Sequence, residues 1–498
     1  MTERPLEGIA WILTLIGLSF ATLIVALDFS IANVSLPYIA GNVAVGVTQA
    51  TYLITSFAIG SAIALPLTGF LTERFGAIKT YLYATIGFVF FSLLCGASFT
   101  FEMLVFARFC QGFIAGPIIP VSQSLILSIT PKEKRNSALA VWGVIIMVGP
   151  IMGPVLGGII SDNIGWPWIF YVNLPLGLVA LILPFLFLWE RAEKGKNIAL
   201  DYISFALLVV GVTAFQIFLD KGEDLDWFGS PLIRLLALTS FVAFSYLIIR
   251  LKRSEKPLID LSLYKTRAFG LSLVFITIGF IAYIGSIVLV PLWLQTAMGY
   301  NATWAGFAVA PVGFAALVFG KFMGKLIDKF GTISLLGICF LCFAAASFYT
   351  GLFSSSVDIY HIWISRLLTG IGTLFLFTPL ISLSVRDLPI NSVPMAMGIF
   401  HFHRTIASAI GASITTSLWV HRGRFHYERL VSNIRFSYAA ELMEKLALSG
   451  KKGSALLAEL VSKEAAILGF NDCFWVMGYL FLFMLLLLPL GRRKRASD

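Results

Sequence analysis

Apolar runs of roughly 20 residues, each long enough to cross a ~30 Å hydrocarbon core, recur from one end of this chain to the other. Only 12% of the 498 residues are charged and 58% are hydrophobic, with a mean hydropathy of +0.90. Soluble globular chains average about 25% charged and ~45–50% apolar residues. The usual expectation of one domain per ~150 residues therefore does not apply. The chain is expected to be an all-α polytopic membrane protein. Its first apolar stretch, from about Ile9 to Ile39, is too long for a signal-peptide core and lacks a small-x-small cleavage site, so it is read as a retained span. The five cysteines form no disulfide framework. Cys339-x-x-Cys342 has a redox or metal spacing, but it lies in an apolar span without His or acidic neighbours, which favours packing.

Apolar runs set against polar breaks give fourteen expected spans. Six lie near 11–36, 48–70, 78–98, 102–126, 138–160 and 168–188, two near 202–219 and 232–249, and six near 268–291, 303–323, 332–352, 360–384, 394–420 and 467–490. Basic residues cluster in alternate loops, at Arg74/Lys79, Lys132/Lys134/Arg135, Arg191/Lys194/Lys196, Arg250 to Arg267, Lys321/Lys325/Lys329 and Arg492-Arg493-Lys494-Arg495. Under the positive-inside tendency these loops and both termini are cytoplasmic. The net charge of +10 thus reports topology, and no nucleic-acid partner is expected.

The chain repeats itself. "GFLTERFG" (Gly69–Gly76) returns as "GKLIDKFG" (Gly324–Gly331), 255 residues later. Arg108-x-x-x-Gly112 returns as Arg366-x-x-x-Gly370, 258 residues later. Eight spans separate each pair, so both copies face the same side. Two related six-helix halves, 1–190 and 259–498, with two central helices inserted at 191–258, explain both offsets. Duplicated halves are a recurrent transporter design.

Four motifs carry a family resemblance: "LDFSIANVSLP" (Leu27–Pro37), "GFLTERFGAIK" (Gly69–Lys79), "RFCQG" (Arg108–Gly112) and "GPIMGPVLGG" (Gly149–Gly158). In these, the chain resembles the major facilitator superfamily, specifically its fourteen-span drug:proton antiporters of the EmrB/QacA type, and most the EmrB type. The resemblance implies the major facilitator fold and turns that latch the halves together on the cytoplasmic side. It also makes the Gly149–Gly158 segment specific to antiport. Two positions depart from the family: Glu73 stands where Asp is usual, and His401 where Asn is frequent.

The residues support a mechanism in their own right. Asp28 is the one acid placed mid-span, and an intramembrane carboxylate is costly enough to imply function. Poised between desolvation and a nearby cation, it could load and release a proton. Arg108 is the first candidate partner and Arg404 the second, both tuning rather than carrying the proton. His401, in "HFHRTIASAIG", is a candidate second titrating group. The competing reading of Asp28 is a static ion pair, and of His401 a packing histidine. Gly69 and Gly76 permit a tight turn and close helix approach. Glu73 is expected against the N-terminus of a facing helix, with Arg74 and Lys79 on phosphates or carbonyls. Gly324, Asp328, Lys329 and Gly331 repeat that set. Gly149, Gly153 and Gly157 form a small-residue stripe for close helix contact. Pro150 and Pro154 should kink it, and Gly158 ends the motif. Asn33, Gln111 and Gln123 are candidates to line the substrate cavity. The aromatics of "WPWIFYVNLPLG" (Trp166–Gly177) are expected to anchor the sixth span at the interface. The outer loop 421–466 reads as two amphipathic helices, with Leu442, Met443 and Leu446 on one and Leu456, Leu457, Leu460 and Val461 on the other, broken at Ser449–Gly453.

The expectation is a secondary transporter of a bacterial inner membrane, exporting hydrophobic or cationic small molecules by alternating access in exchange for protons. No cofactor, metal site or enzymatic constellation is expected. The 421–466 loop either folds back or docks a periplasmic membrane-fusion adaptor, itself joined to an outer-membrane channel. A proton symporter importing a metabolite is the nearest alternative; a receptor or channel is a more distant one.

Overall fold

A computed structural model describes residues 5–254, 257–433 and 451–491. The described residues are helical and contain no strand. The first six expected spans fall on α1 (Gly8–Asn42), on α2 (Tyr52–Ala64) with α3 (Thr68–Phe75), on α4 (Ala77–Gly96), on α5 (Phe101–Ala115) with α6 (Ile118–Ile129), on α7 (Arg135–Asn163) and on α8 (Asn173–Leu188). The central pair is α9 (Tyr202–Lys221) and α10 (Pro231–Arg253). Then come α11 (Arg267–Thr296), α12 (Ala302–Val309) with α13 (Pro311–Phe319) and α14 (Met323–Phe330), α15 (Thr332–Thr350), α16 (Ile359–Val385), α17 (Val393–Asn433) and α18 (Lys451–Leu487). Ten spans among the described residues are long and apolar enough to cross a membrane, or eleven if α2 and α3, bent by 58° about Pro66, count as one. The other three expected spans are helical too, on α7, α12–α13 and α17, which is consistent with fourteen crossings.

Local chemistry explains several boundaries. Thr100, Asp201, Asn301 and Asp358 each accept the backbone N–H three residues ahead and so start α5, α9, α12 and α16. Gly76 (φ 86°, ψ 150°) and Gly331 (φ 77°, ψ 153°) end α3 and α14 in one shared backbone conformation that only glycine adopts readily. The two copies of the repeated turn are thus the same turn.

The packing is repeated as well. α1 lies along α7 and α8, α5 packs on α2 and α4, and α4 also meets α8. Correspondingly, α11 lies along α17 and α18, α16 packs on α13 and α15, and α15 meets α18. The repeated Arg-x-x-x-Gly accounts for one of these contacts. A Cβ at Gly112 would strike the Phe57 carbonyl of α2, and one at Gly370 would strike the Val312 carbonyl of α13. Large apolar side chains cover the outer faces; α10 exposes Leu235, Leu238, Phe241 and Val242. This is the arrangement for a lipid solvent.

The last two spans depart from expectation. α17 continues past 420 to Asn433, and α18 begins at Lys451 rather than near 467, so the described parts of the 421–466 loop extend the spans instead of forming separate helices. Contacts between the two arms favour this. Gly423 and Gly469 let the backbones meet, Trp419 Nε1 donates to the Ala466 carbonyl (2.8 Å), and Asp472 pairs with Arg422 (2.6 Å) and His426 (2.7 Å). Leu442, Met443 and Leu446 lie outside the described residues, as does the terminal basic run.

Candidate functional site

Asp28 and Arg108 are both sealed from solvent, 1% and 0% exposed, and pair at 2.5 Å between α1 and α5. Arg108 Nη1 also donates to Gln111 Oε1 (2.7 Å), and its Nε donates to the Leu53 carbonyl (3.4 Å). Phe57 and Phe170 stack on the guanidinium at 4.4 and 5.5 Å, the contact expected of a desolvated cation. The other carboxylate oxygen of Asp28 accepts from Gln111 Nε2 (3.2 Å) and Asn173 Nδ2 (2.8 Å). Both amides reach Ser92 Oγ on α4, at 2.7 and 3.1 Å. Four helices thus converge on one carboxylate. Further hydrogen bonds satisfy both carboxylate oxygens, while Arg108 Nη2 is buried without a partner among the described residues. Removing one member of such a pair costs about 3–5 kcal/mol.

Ser92 and Asn173 are absent from the set expected from sequence. Asn173 lies in the segment read as an interfacial anchor. Trp168 is exposed there as an anchor would be, but Trp166 and Phe170 are buried against the ion pair's surroundings. The signal that could have found Asn173 is a solitary amide in a long apolar run.

The glycine stripe of α7 packs against the stretch of α1 that carries Asp28. A Cβ at Gly149 would lie 2.8 Å from Ala26 Cβ, at Gly153 2.5 Å from Ser30 Cβ, and at Gly157 3.1 Å from the Ile31 carbonyl. Gly158 has nothing within 4 Å and is outside the contact. α7 runs helically through positions 150 and 154.

Other candidates lie elsewhere. Arg404 is over the Phe280 ring (5.8 Å) and makes no contact with Asp28; it is not the carboxylate's partner. His401 likewise bonds to Gln123 (2.7 Å) rather than to the Asp28 cluster. Gln111 and Gln123, expected to line a cavity, are fully buried and hydrogen-bonded; Asn33 is exposed. A cavity of about 550 Å³ at the basic end, lined by Lys132, Arg135, Leu388 and Ile390 among others, is remote from Asp28.

The repeated turns differ in their partners. Glu73 does not cap a facing helix. It pairs with Lys196 (2.8 Å) while Arg74 donates to the Ile198 carbonyl (2.5 Å), so the first turn clamps the segment that follows α8. That exposed carboxylate raises the Lys196 pKa. Lys79 is half-buried and Lys329 lies by the Phe330 ring. Asp328 does sit at a facing helix N-terminus, accepting from Asn136 Nδ2 of α7 (2.6 Å). Gly69 meets Met395 of α17, and Gly324 meets the Ser137 backbone.

Apolar helices in two like-packed sets, with a charge pair sealed inside one of them, define a membrane transporter rather than an enzyme. The chain belongs to the Major Facilitator Superfamily, whose family model matches residues 18–412. It is 37% identical over 489 residues to the multidrug export protein EmrB of Escherichia coli (strain K12), covering 97% of this chain and 96% of that protein. It is 35% identical to the fatty acid resistance protein FarB of Neisseria gonorrhoeae, with 97% of each chain covered. Among solved structures, the human organic anion transporter MFSD10 (TETRAN) shares the fold, with a TM-score of 0.62 at 16% identity over 97% of this chain and all of that one.

Proposed function

We propose that this chain is a proton-coupled multidrug exporter that moves hydrophobic or cationic small molecules outward by alternating access. Its relatives named for multidrug export and fatty acid resistance support an apolar substrate range. The observation that carries the proton coupling is the sealed Asp28 with Arg108, Gln111 and Asn173 around it. A proton on Asp28 neutralises the carboxylate and weakens its hold on Arg108. α1 carries Asp28 and rests on the glycine stripe of α7, so a change at the carboxylate is passed to the helix that spans between the halves. Arg108 tunes this step, His401 and Arg404 act in the second half, and substrate enters between the halves near Asn33. The halves are 1–190 and 259–498, with 191–258 inserted. The basic end and both termini face the cytoplasm of a bacterial inner membrane. The 421–466 loop, whose described arms extend the last two spans, receives a periplasmic adaptor joined to an outer-membrane channel.

The test is substrate-driven proton movement in proteoliposomes containing only this protein. Wild type should move protons when a transported compound is added, and Asp28→Asn should insert normally yet move none. Full activity in Asp28→Asn would remove Asp28 from the mechanism.

A further inference from the structure

The 258-residue spacing that relates Arg108 to Arg366 also relates Asp28 to Ser286 and Ser92 to Thr350. All three counterparts meet again in space. Arg366 is 1% exposed; its Nη1 donates to Ser286 Oγ (3.0 Å), and its Nη2 donates to Thr350 Oγ1 (3.2 Å) and Ser365 Oγ (3.0 Å). Phe474 stacks on this guanidinium at 5.7 Å, much as Phe170 stacks on Arg108. The second half therefore keeps the cation, the hydroxyl and the ring. It lacks the carboxylate, since among the described residues no Asp or Glu pairs with Arg366, and it lacks the amide of Gln111, whose counterpart is Thr369.

Counting protons sharpens the imbalance. Arginine is a pure donor, so each of the three hydroxyls accepts from it and must send its own proton elsewhere. Thr350 donates to the Ala346 carbonyl (2.7 Å), which leaves Ser365 to donate to Thr350. Among the described residues the Ser286 hydroxyl proton has no acceptor, and neither has Arg366 Nε, which is buried without a partner. Three of the five N–H groups of Arg366 are used. Its Nε–H and one Nη1–H therefore stand beside the Ser286 hydroxyl as three donors without an acceptor among the described residues, around a buried positive charge with no negative partner there.

We propose that the Arg366–Ser286 cluster binds a small monovalent anion, chloride, which takes the part that the Asp28 carboxylate plays in the first half. A halide accepts from several donors at once without needing to donate, which matches this set. The proposal does not depend on Asp28 carrying protons.

Two measurements on the purified full chain in detergent test it: melting temperature in sodium chloride against sodium gluconate at equal ionic strength, and the chlorine NMR line width. Wild type should melt roughly 2–4 °C higher in saturating chloride. The chloride signal should broaden and bromide should compete. Ser286→Asp supplies a fixed carboxylate and should abolish both responses. Ser286→Ala removes one donor and should move half-saturation to several-fold higher chloride. Identical melting and line widths in wild type with and without chloride would overturn the proposal. So would a full chloride response in Ser286→Asp or an unchanged half-saturation in Ser286→Ala.

Discussion

Asn173 holds the same oxygen of Asp28 as Gln111 does, and at the shorter distance. Hydrogen bonds to charged groups contribute about 1.5–3 kcal/mol, and ~1.4 kcal/mol is a factor of ten. Asn173→Ala should therefore lower substrate-driven proton movement roughly tenfold at normal expression, whereas Asn173→Ser, which keeps a short donor, should lose less. Equal activity in Asn173→Ala and wild type would reduce this contact to packing. Asp28 and Arg108 were legible as candidates because charges are rare in apolar runs. Their pairing was only the first of two options until α1 and α5 were brought together. Asn173 escaped because its sequence neighbours are aromatic and its partner lies 145 positions away.

At the scale of the element, the contact between α1 and α7 makes a graded prediction. Gly153→Leu forces atoms into Ser30 and the α1 backbone, and overpacking of this kind costs about 1–3 kcal/mol or more. Transport should be lost or the membrane should become leaky to protons. Gly158→Ala enters open space and should transport normally. The two are separated by proteoliposome efflux and by passive proton leak. A second prediction concerns the inserted pair. Arg250 grips Asp201 at 2.9–3.1 Å and holds its carboxyl down to about 2. A depressed carboxyl contributes stability above its ordinary pKa of ~3.9 and loses it only as pH falls through the folded value. This clamp is therefore constant between pH 5 and 8. Asp201→Asn should leave the shape of the transport–pH profile in that range unchanged while loosening α9 against α10, read as faster amide exchange at the start of α9. A displaced pH profile would count against it. Most spans were readable from apolar length alone. The extensions of α17 and α18 were not, because polar residues after 420 look like the end of a span, and only the arm-to-arm contacts keep them helical.

Across the whole molecule, the named bonds between the halves gather at the basic end. His401 meets Gln123, Asp328 meets Asn136, and Ser382 donates to Asn136 (3.1 Å). Glu73 takes no part in them. Gln123→Ala with Asp328→Ala removes two bonds of about 0.5–1.5 kcal/mol each and should shift a balanced equilibrium roughly tenfold toward opening at that end. An impermeant thiol reagent applied to the basic face, with the native cysteines replaced, should label engineered gate cysteines faster in the double variant and at the wild-type rate in Glu73→Gln. The reverse order would restore the first turn as the latch. The sequence by itself determined the solvent, the helices, the duplication and the special backbone of both turns, since apolar length and glycine chemistry act locally and survive in a linear reading. Tertiary structure alone decided what each polar group meets. In a lipid solvent every buried charge must find its partner inside the protein, and that partner comes from whichever helix packing brings alongside. Packing therefore gave the two copies of one turn different partners, and left one buried arginine with a carboxylate and the other with none among the described residues.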